Sequence, residues 1–279
     1  MEIGLDANVP LFRHLTRLCM RVGERGRIVR LAGGAAMLVW GRHLSRPRDM
    51  TRDLDCVLLG EDLPDRAAAE QLAREVLDDL RELGFSRVDE WKPSRTARFS
   101  YSHSTDHVAV ELLCGTIAVG KASGRDPAWK IASMPDGPPD FYAAKVLWLD
   151  FVEEWIPVHA TCGEHTFRLR VPDLSSLAVL KLRAVVDKTQ RMGEEEDPEA
   201  FEFEKLRLKR HAMDCMLLFD WIDERGEFDH LVLLAGRHGA VRSAAREGAS
   251  WVLTHGTLVK ELELGGLARS LERLVPALA

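Results

Sequence analysis

The sequence predicts an α/β (α+β) N-terminal half with a mixed sheet, followed by an α-helical C-terminal half. Three observations carry this reading. Short apolar runs alternate with helical patterns between residues 10 and 115. More strand-like segments follow the punctuating loop "PDGPPD" at 135–140. From Asp173 onward the apolar spacing is helical. The expected organisation is 1–125, a β-rich extension or connector at 126–172, and a helical domain at 173–279.

Residues 10–23 place Leu11, Leu15, Leu18, Cys19 and Val22 at helical spacing, with Pro10 in the first turn and Gly23 at the end. "RIVRLA" (27–32) reads as a short strand, and 34–43 as a helix that starts at two glycines. "DLDCVLL" (53–59) alternates and then turns wholly apolar, as in a buried strand. Residues 65–83 form a helix with Asp65 as N-cap and Gly84 just past its end. Strands are expected at 86–91, 97–103 and 107–115, the last two joined by a turn at "HSTD". "CGEH" marks a turn between two later strands. A helix capped by Asp173 or Ser175 opens the C-terminal half, and an acidic loop "MGEEEDPEAFE" follows. A helix at 204–222 and two or three more within 227–276 complete the chain.

The chain of 279 residues carries a net charge of −6, so it is not a basic nucleic-acid binder as a whole. Its five cysteines are scattered singly with no CxxC pair, which argues against a disulfide framework or a cysteine zinc site. No signal-peptide pattern opens the sequence and no long uncharged apolar run crosses it. A cytoplasmic protein without a membrane partner is expected. P-loop, GxSxG and HExxH patterns are missing. His103 and His107 lie four apart, but "HSTDH" reads as a hairpin turn, not as a ligand pair.

The chemistry concentrates in 31–60. Asp53 and Asp55 sit one residue apart on a strand, so both point to one face, roughly 6–7 Å apart. Two such carboxylates repel unless a cation joins them, and a hard divalent ion such as Mg²⁺ suits oxygen ligands. Glu111 lies in the apolar strand "HVAVELLCG", where an ionised carboxylate needs a partner or a metal. It is the candidate third ligand of a site with one or two Mg²⁺ ions. Gly33 and Gly34 open a helix, where backbone N–H groups can approach a phosphate closely. Glycines at such a junction equally serve turn geometry. Arg42, Arg46, Arg48 and Arg52 cluster between these motifs, either as a solvated loop or as phosphate and RNA contacts.

Ala32-Gly33-Gly34, Asp53-Leu54-Asp55 and Glu111, in that order, resemble the polymerase-β-like nucleotidyltransferase superfamily over residues 28–115. The resemblance is closest to its AbiEii-like branch, which includes toxins of bacterial toxin–antitoxin systems. Thr51 stands two before Asp53 as in that branch, whereas Arg48 is displaced by one position and Asp49 takes its place. "LAVLKLRAVVDK" puts Lys181 where the branch has a phosphate-contacting lysine. "KRHAMDCMLL" matches a later motif only in part, with Asp214 at its second acid, Arg210 at its lysine and His211 in place of its first acid. From the spacing alone, Lys181 could equally snorkel at the surface, and Asp214 could pair with Lys181 or Arg210 or face solvent.

The resemblance implies a Mg²⁺-dependent nucleotidyltransferase that moves NMP from an NTP to an acceptor hydroxyl. Asp53, Asp55 and Glu111 would be catalytic and metal-binding. Gly33, Gly34, Arg48, Thr51, Lys181 and Asp214 would bind the nucleotide. RNA or protein would be the acceptor, as in toxin-type relatives, with an antitoxin protein as partner. A small molecule such as an antibiotic is the second acceptor class, and a catalytically silent nucleotide-binding module is the third reading.

Overall fold

The computed structural model describes residues 1–46, 51–58, 66–87, 100–114, 128–131, 141–145, 149, 151–254 and 267–279. The chain divides into two compact units, Met1–Val171 and Pro172–Ala279. The first is mixed α/β with two sheets, and the second is built from helices among the described residues.

In the first unit, β1 (Glu2–Leu5) leads into α1 (Pro10–Glu24), which starts with Pro at its first turn as the sequence suggests. One face of α1 buries Leu11, Phe12, Leu15, Leu18 and Cys19. β2 (Val29–Arg30) is shorter than the six residues expected. Its continuation, Leu31, forms an antiparallel bridge to Cys56 and donates its N–H to the Arg170 carbonyl at 2.9 Å. This residue therefore ties one sheet to the other. α2 (Gly33–His43) follows at once and is buried from Ala35 to Gly41, a central helix rather than a surface one.

The first sheet runs β1-β9-β10-β2, where β9 is Trp155–Cys162 and β10 is His165–Pro172. β1 pairs parallel with β9 and β2 parallel with β10. The turn at Gly163-Glu164 joins β9 to β10 within the expected "CGEH". Residues 155–171, read from sequence as part of an extension or connector, are thus integral to the N-terminal unit. The four-residue β1 was not foreseen, since its partner lies more than 150 residues away.

The second sheet contains β3 (Asp53–Leu58), β4 (Phe85–Arg87), β5 (Ser100–His103), β6 (Ala109–Cys114), β7 (Ala128–Ile131) and β8 (Phe141–Lys145). β6 is its centre. β3 pairs parallel along one edge, with Asp55 opposite Glu111. β5, antiparallel, and then β8, parallel, share the other edge. α3 (Arg66–Glu82) precedes β4, and Gly84 takes the left-handed φ of 86° that ends this helix. Asp79 of α3 is buried and reaches Arg25 at 2.8 Å; burial pushes its carboxyl up against that opposing charge. Asp65 and the segments 88–91 and 97–99 of the expected helix and strands lie outside the described residues.

The second unit packs α4 (Leu174–Glu194) against α5 (Pro198–Glu224), α6 (Phe228–Gly236) and α7 (Gly239–Thr254), with α8 (Leu267–Ala277) against α5 and α7. Asp173 caps α4 by accepting the Ser176 N–H at 2.9 Å. The expected acidic loop is much shorter than "MGEEEDPEAFE": only residues 195–197 separate the two helices. Asp197 caps α5 on the Glu199 and Ala200 N–H groups, Pro198 fills the first position, and Glu199 favours the positive end of the helix. Those acids start a helix instead of filling a loop. Leu174, Leu177, Leu182, Phe219, Trp221 and Ile222 form a fully buried core. No helix among the described residues is long and apolar enough to cross a membrane.

Candidate active site

Alternation along β3 and β6 separates two faces. Leu54, Cys56, Val110 and Leu112 are buried on one. Asp53, Asp55, Ala109 and Glu111 lie on the other and are exposed or half-buried. Because Asp55 and Glu111 are direct partners in a parallel pair, their backbones are one strand spacing apart, about 4.8 Å. Asp53 stands two residues before Asp55 on the same face. Toward the C-terminal end this face closes over at Val57, which is buried.

The start of α2 packs directly on Asp55. The Ala32 N–H donates to the Asp55 carbonyl at 2.8 Å, and the Gly34 N–H donates to its Oδ2 at 3.2 Å. The positive end of α2 thus faces a carboxylate. Gly33 has φ +56°, and a Cβ built on it would lie 1.8 Å from Asp55 Oδ2. No side chain fits there without moving the acid. A Cβ on Gly34 would meet Thr51 Oγ1 at 3.1 Å. Thr51 Oγ1 in turn accepts the Asp53 N–H at 3.3 Å and shapes the entry to β3.

Contacts therefore join Gly33, Gly34 and Thr51 to Asp53 and Asp55, and the register sets Glu111 beside Asp55 on the same strand face. In this structure the glycines cradle a carboxylate, where the sequence led us to expect a phosphate or a plain turn. Arg48 lies outside the described residues. Arg42 sits in the last turn of α2, about 12–14 Å along the helix from the glycines, with its guanidinium 5.7 Å from the Phe12 ring centroid. Its side chain is exposed at the far end of the helix. Arg46 and Arg52 are exposed.

Lys181 and Asp214 belong to the second unit. Both are buried, and Lys181 Nζ donates to Asp214 Oδ2 at 2.6 Å. Seven residues along α4, Lys188 Nζ donates to Glu204 Oε2 of α5 at 2.5 Å. His211 stands between these pairs on α5; burial, and next the charge of Lys181, push its imidazole well below the ordinary value. The helical hairpin thus holds two lysine–carboxylate pairs with a neutral imidazole between them. The sequence pointed to one of the pairs and missed Lys188–Glu204.

Compared with known proteins, the chain matches no family model, and no curated protein or solved structure matches it significantly.

Proposed function

We propose that the protein is a Mg²⁺-dependent nucleotidyltransferase acting at the acidic face of β3 and β6. The observation that supports this most is the register of Asp55 against Glu111, with Asp53 on the same face and the N-terminus of α2 against Asp55. Three carboxylates from two adjacent strands make an all-oxygen donor set, which fits a hard divalent cation. Bound there, Mg²⁺ would supply Lewis-acid stabilisation of charge on the nucleotide phosphates.

The residues of the chain take distinct roles in this reading. Asp53, Asp55 and Glu111 would hold the cation. The Gly34 N–H, donated to Asp55 Oδ2 in this structure, would be available to a phosphate oxygen if that carboxylate were engaged by the cation. Gly33, with no side chain, lets the Asp55 carboxylate approach the start of α2 this closely. The acceptor hydroxyl oxygen forms a bond to the α-phosphorus while the bond from that phosphorus to the bridging oxygen breaks. Pyrophosphate leaves, and the hydroxyl proton passes to Glu111 or to water.

Incubation of the purified chain with labelled NTPs, Mg²⁺ and total RNA tests the proposal. Mg²⁺-dependent label on RNA or on protein is expected, and label should fall by roughly 10³-fold in Asp53→Asn, on the scale of several kcal/mol of lost metal stabilisation. Transfer that persists in Asp53→Asn, or the absence of both transfer and Mg²⁺-NTP binding, would overturn it.

A further inference from the structure

On the other face of the same sheet, α1 meets the turn between β5 and β6. His14 of α1 is 1% exposed, and its Nε2 lies 2.7 Å from Asp106 Oδ2. His103, the last residue of β5, places Nδ1 3.8 Å from the same oxygen. The two imidazole rings are 4.4 Å apart between centroids and tilted by 47°. One ligand atom from each of the three residues lies within 4.8 Å of the other two.

We propose that His14, His103 and Asp106 form a binding site for a borderline divalent cation of the Zn²⁺ class. Two imidazole nitrogens and one carboxylate oxygen are a donor set suited to such ions and poorly suited to Mg²⁺. Tetrahedral ligands about 2.1 Å from Zn²⁺ are separated from each other by about 3.4 Å. The observed 2.7 and 3.8 Å straddle that value, and all three ligand atoms lie within 4.8 Å of one another, so side-chain adjustments of about 1–1.5 Å complete the site. Three protein ligands leave one position for water.

The protonation states agree with the geometry. Burial, chiefly, holds the His14 imidazole below its ordinary value, so it is neutral and can donate a lone pair. The hydrogen bond from His14 holds Asp106 in its carboxylate form. With Nε2 on the metal the ring proton moves to Nδ1, which has no hydrogen-bond partner among the described residues, a cost that metal binding must exceed. Arg13 reaches Asp106 at 3.4 Å from a 43% exposed side chain, and it yields to a divalent ion by turning into solvent. The Asp106 N–H, 3.3 Å from His103 Nδ1, is the weak contact that coordination replaces. Phe85 packs edge-on to both rings, His14 at 5.0 Å and His103 at 5.5 Å, and fixes their directions. Such a site fastens α1 to the β5–β6 turn, independently of the acidic face.

Titration of the chelator-stripped full chain with Zn²⁺ tests this, by calorimetry and against a chromophoric chelator. One equivalent is expected to bind, and saturation at ~100 times Kd should raise Tm by roughly 5–10 °C. His103→Ala and Asp106→Asn, checked for folding by circular dichroism, should each weaken binding at least ~10-fold, the lower limit seen when even an outer-shell partner is lost. Co²⁺ in place of Zn²⁺ should give the visible absorption of a four-coordinate centre in the unsubstituted chain and lose it in both variants. No stoichiometric Zn²⁺ binding, or equal affinity in the two variants and the unsubstituted chain, would overturn the proposal.

Discussion

Lys181 and Asp214 close a 2.6 Å ion pair from which solvent is excluded on both sides. Removing one member leaves the other charge buried, which is worse than never having had the pair. Asp214→Ala is expected to lower stability by about 3–5 kcal/mol. The double substitution Lys181→Met with Asp214→Leu should recover most of that loss, because two apolar groups need no counter-charge. Urea denaturation of the three proteins measures it. A loss below ~1 kcal/mol in Asp214→Ala would contradict the buried geometry.

The neighbouring pair gives a pH signature. Lys188 is buried and its ammonium is lowered from 10.5 to about 8, chiefly by burial and secondly by Arg207, against the pull of Glu204. The unfolded chain then binds more protons than the folded one between about pH 8 and 10.5. Folding stability contributed by this group therefore rises with pH across that window and is constant below it. Lys188→Met should abolish the rise. Unfolding free energies at pH 7, 8, 9 and 10 for both proteins provide the check, and parallel curves would exclude the effect.

Some of this was readable in the sequence, and the limits have physical causes. α1, α2 and β3 were expected to within a residue or two, because Pro10, the glycine pair and the Asp-x-Asp alternation are local signals. The shared face of Asp53 and Asp55 follows from strand geometry alone. That Glu111 stands directly opposite Asp55 is a matter of register, which no local pattern states. β1 was missed because its pairing with β9 is non-local. His14 reads as one more residue of an amphipathic helix, and only the fold brings it to His103 and Asp106. Residues 192–202 read as a loop by their acidity, but Asp197 and Pro198 form a helix start there.

Gly33 is the sharpest constraint at the acidic face. Gly33→Ala puts a Cβ 1.8 Å from Asp55 Oδ2 at a φ of +56°. The left-handed backbone alone disfavours alanine by about 1–2 kcal/mol, and the displaced carboxylate adds to this. A total loss of roughly 2 kcal/mol or more is expected. In a double-mutant cycle with Asp55→Ala the clash disappears, so the two substitutions should couple by about 0.5–3 kcal/mol. Strict additivity in thermal or urea unfolding would show that the two residues do not touch.

Gly248 makes the opposite argument about glycine, from packing instead of backbone angle. It lies inside α7, where alanine is ordinarily the better helix former by about 1 kcal/mol. A Cβ there would lie 2.5 Å from the carbonyl oxygen of Leu182 and 3.0 Å from its carbon. These atoms belong to the backbone of α4 and cannot rotate away, so α7 must move off α4. Overpacking of this kind costs about 1–3 kcal/mol or more, which outweighs the propensity gain. Gly248→Ala should therefore destabilise the chain by about 1–2 kcal/mol. Gly193, in the last turn of α4, has nothing within 4 Å of its Cβ position. Gly193→Ala should be neutral or stabilising by up to ~1 kcal/mol. Urea unfolding of the pair reads the contrast directly: a loss at 248 beside none at 193 locates the contact of α7 with α4 at Gly248, and a gain at both positions would place the two helices further apart than described.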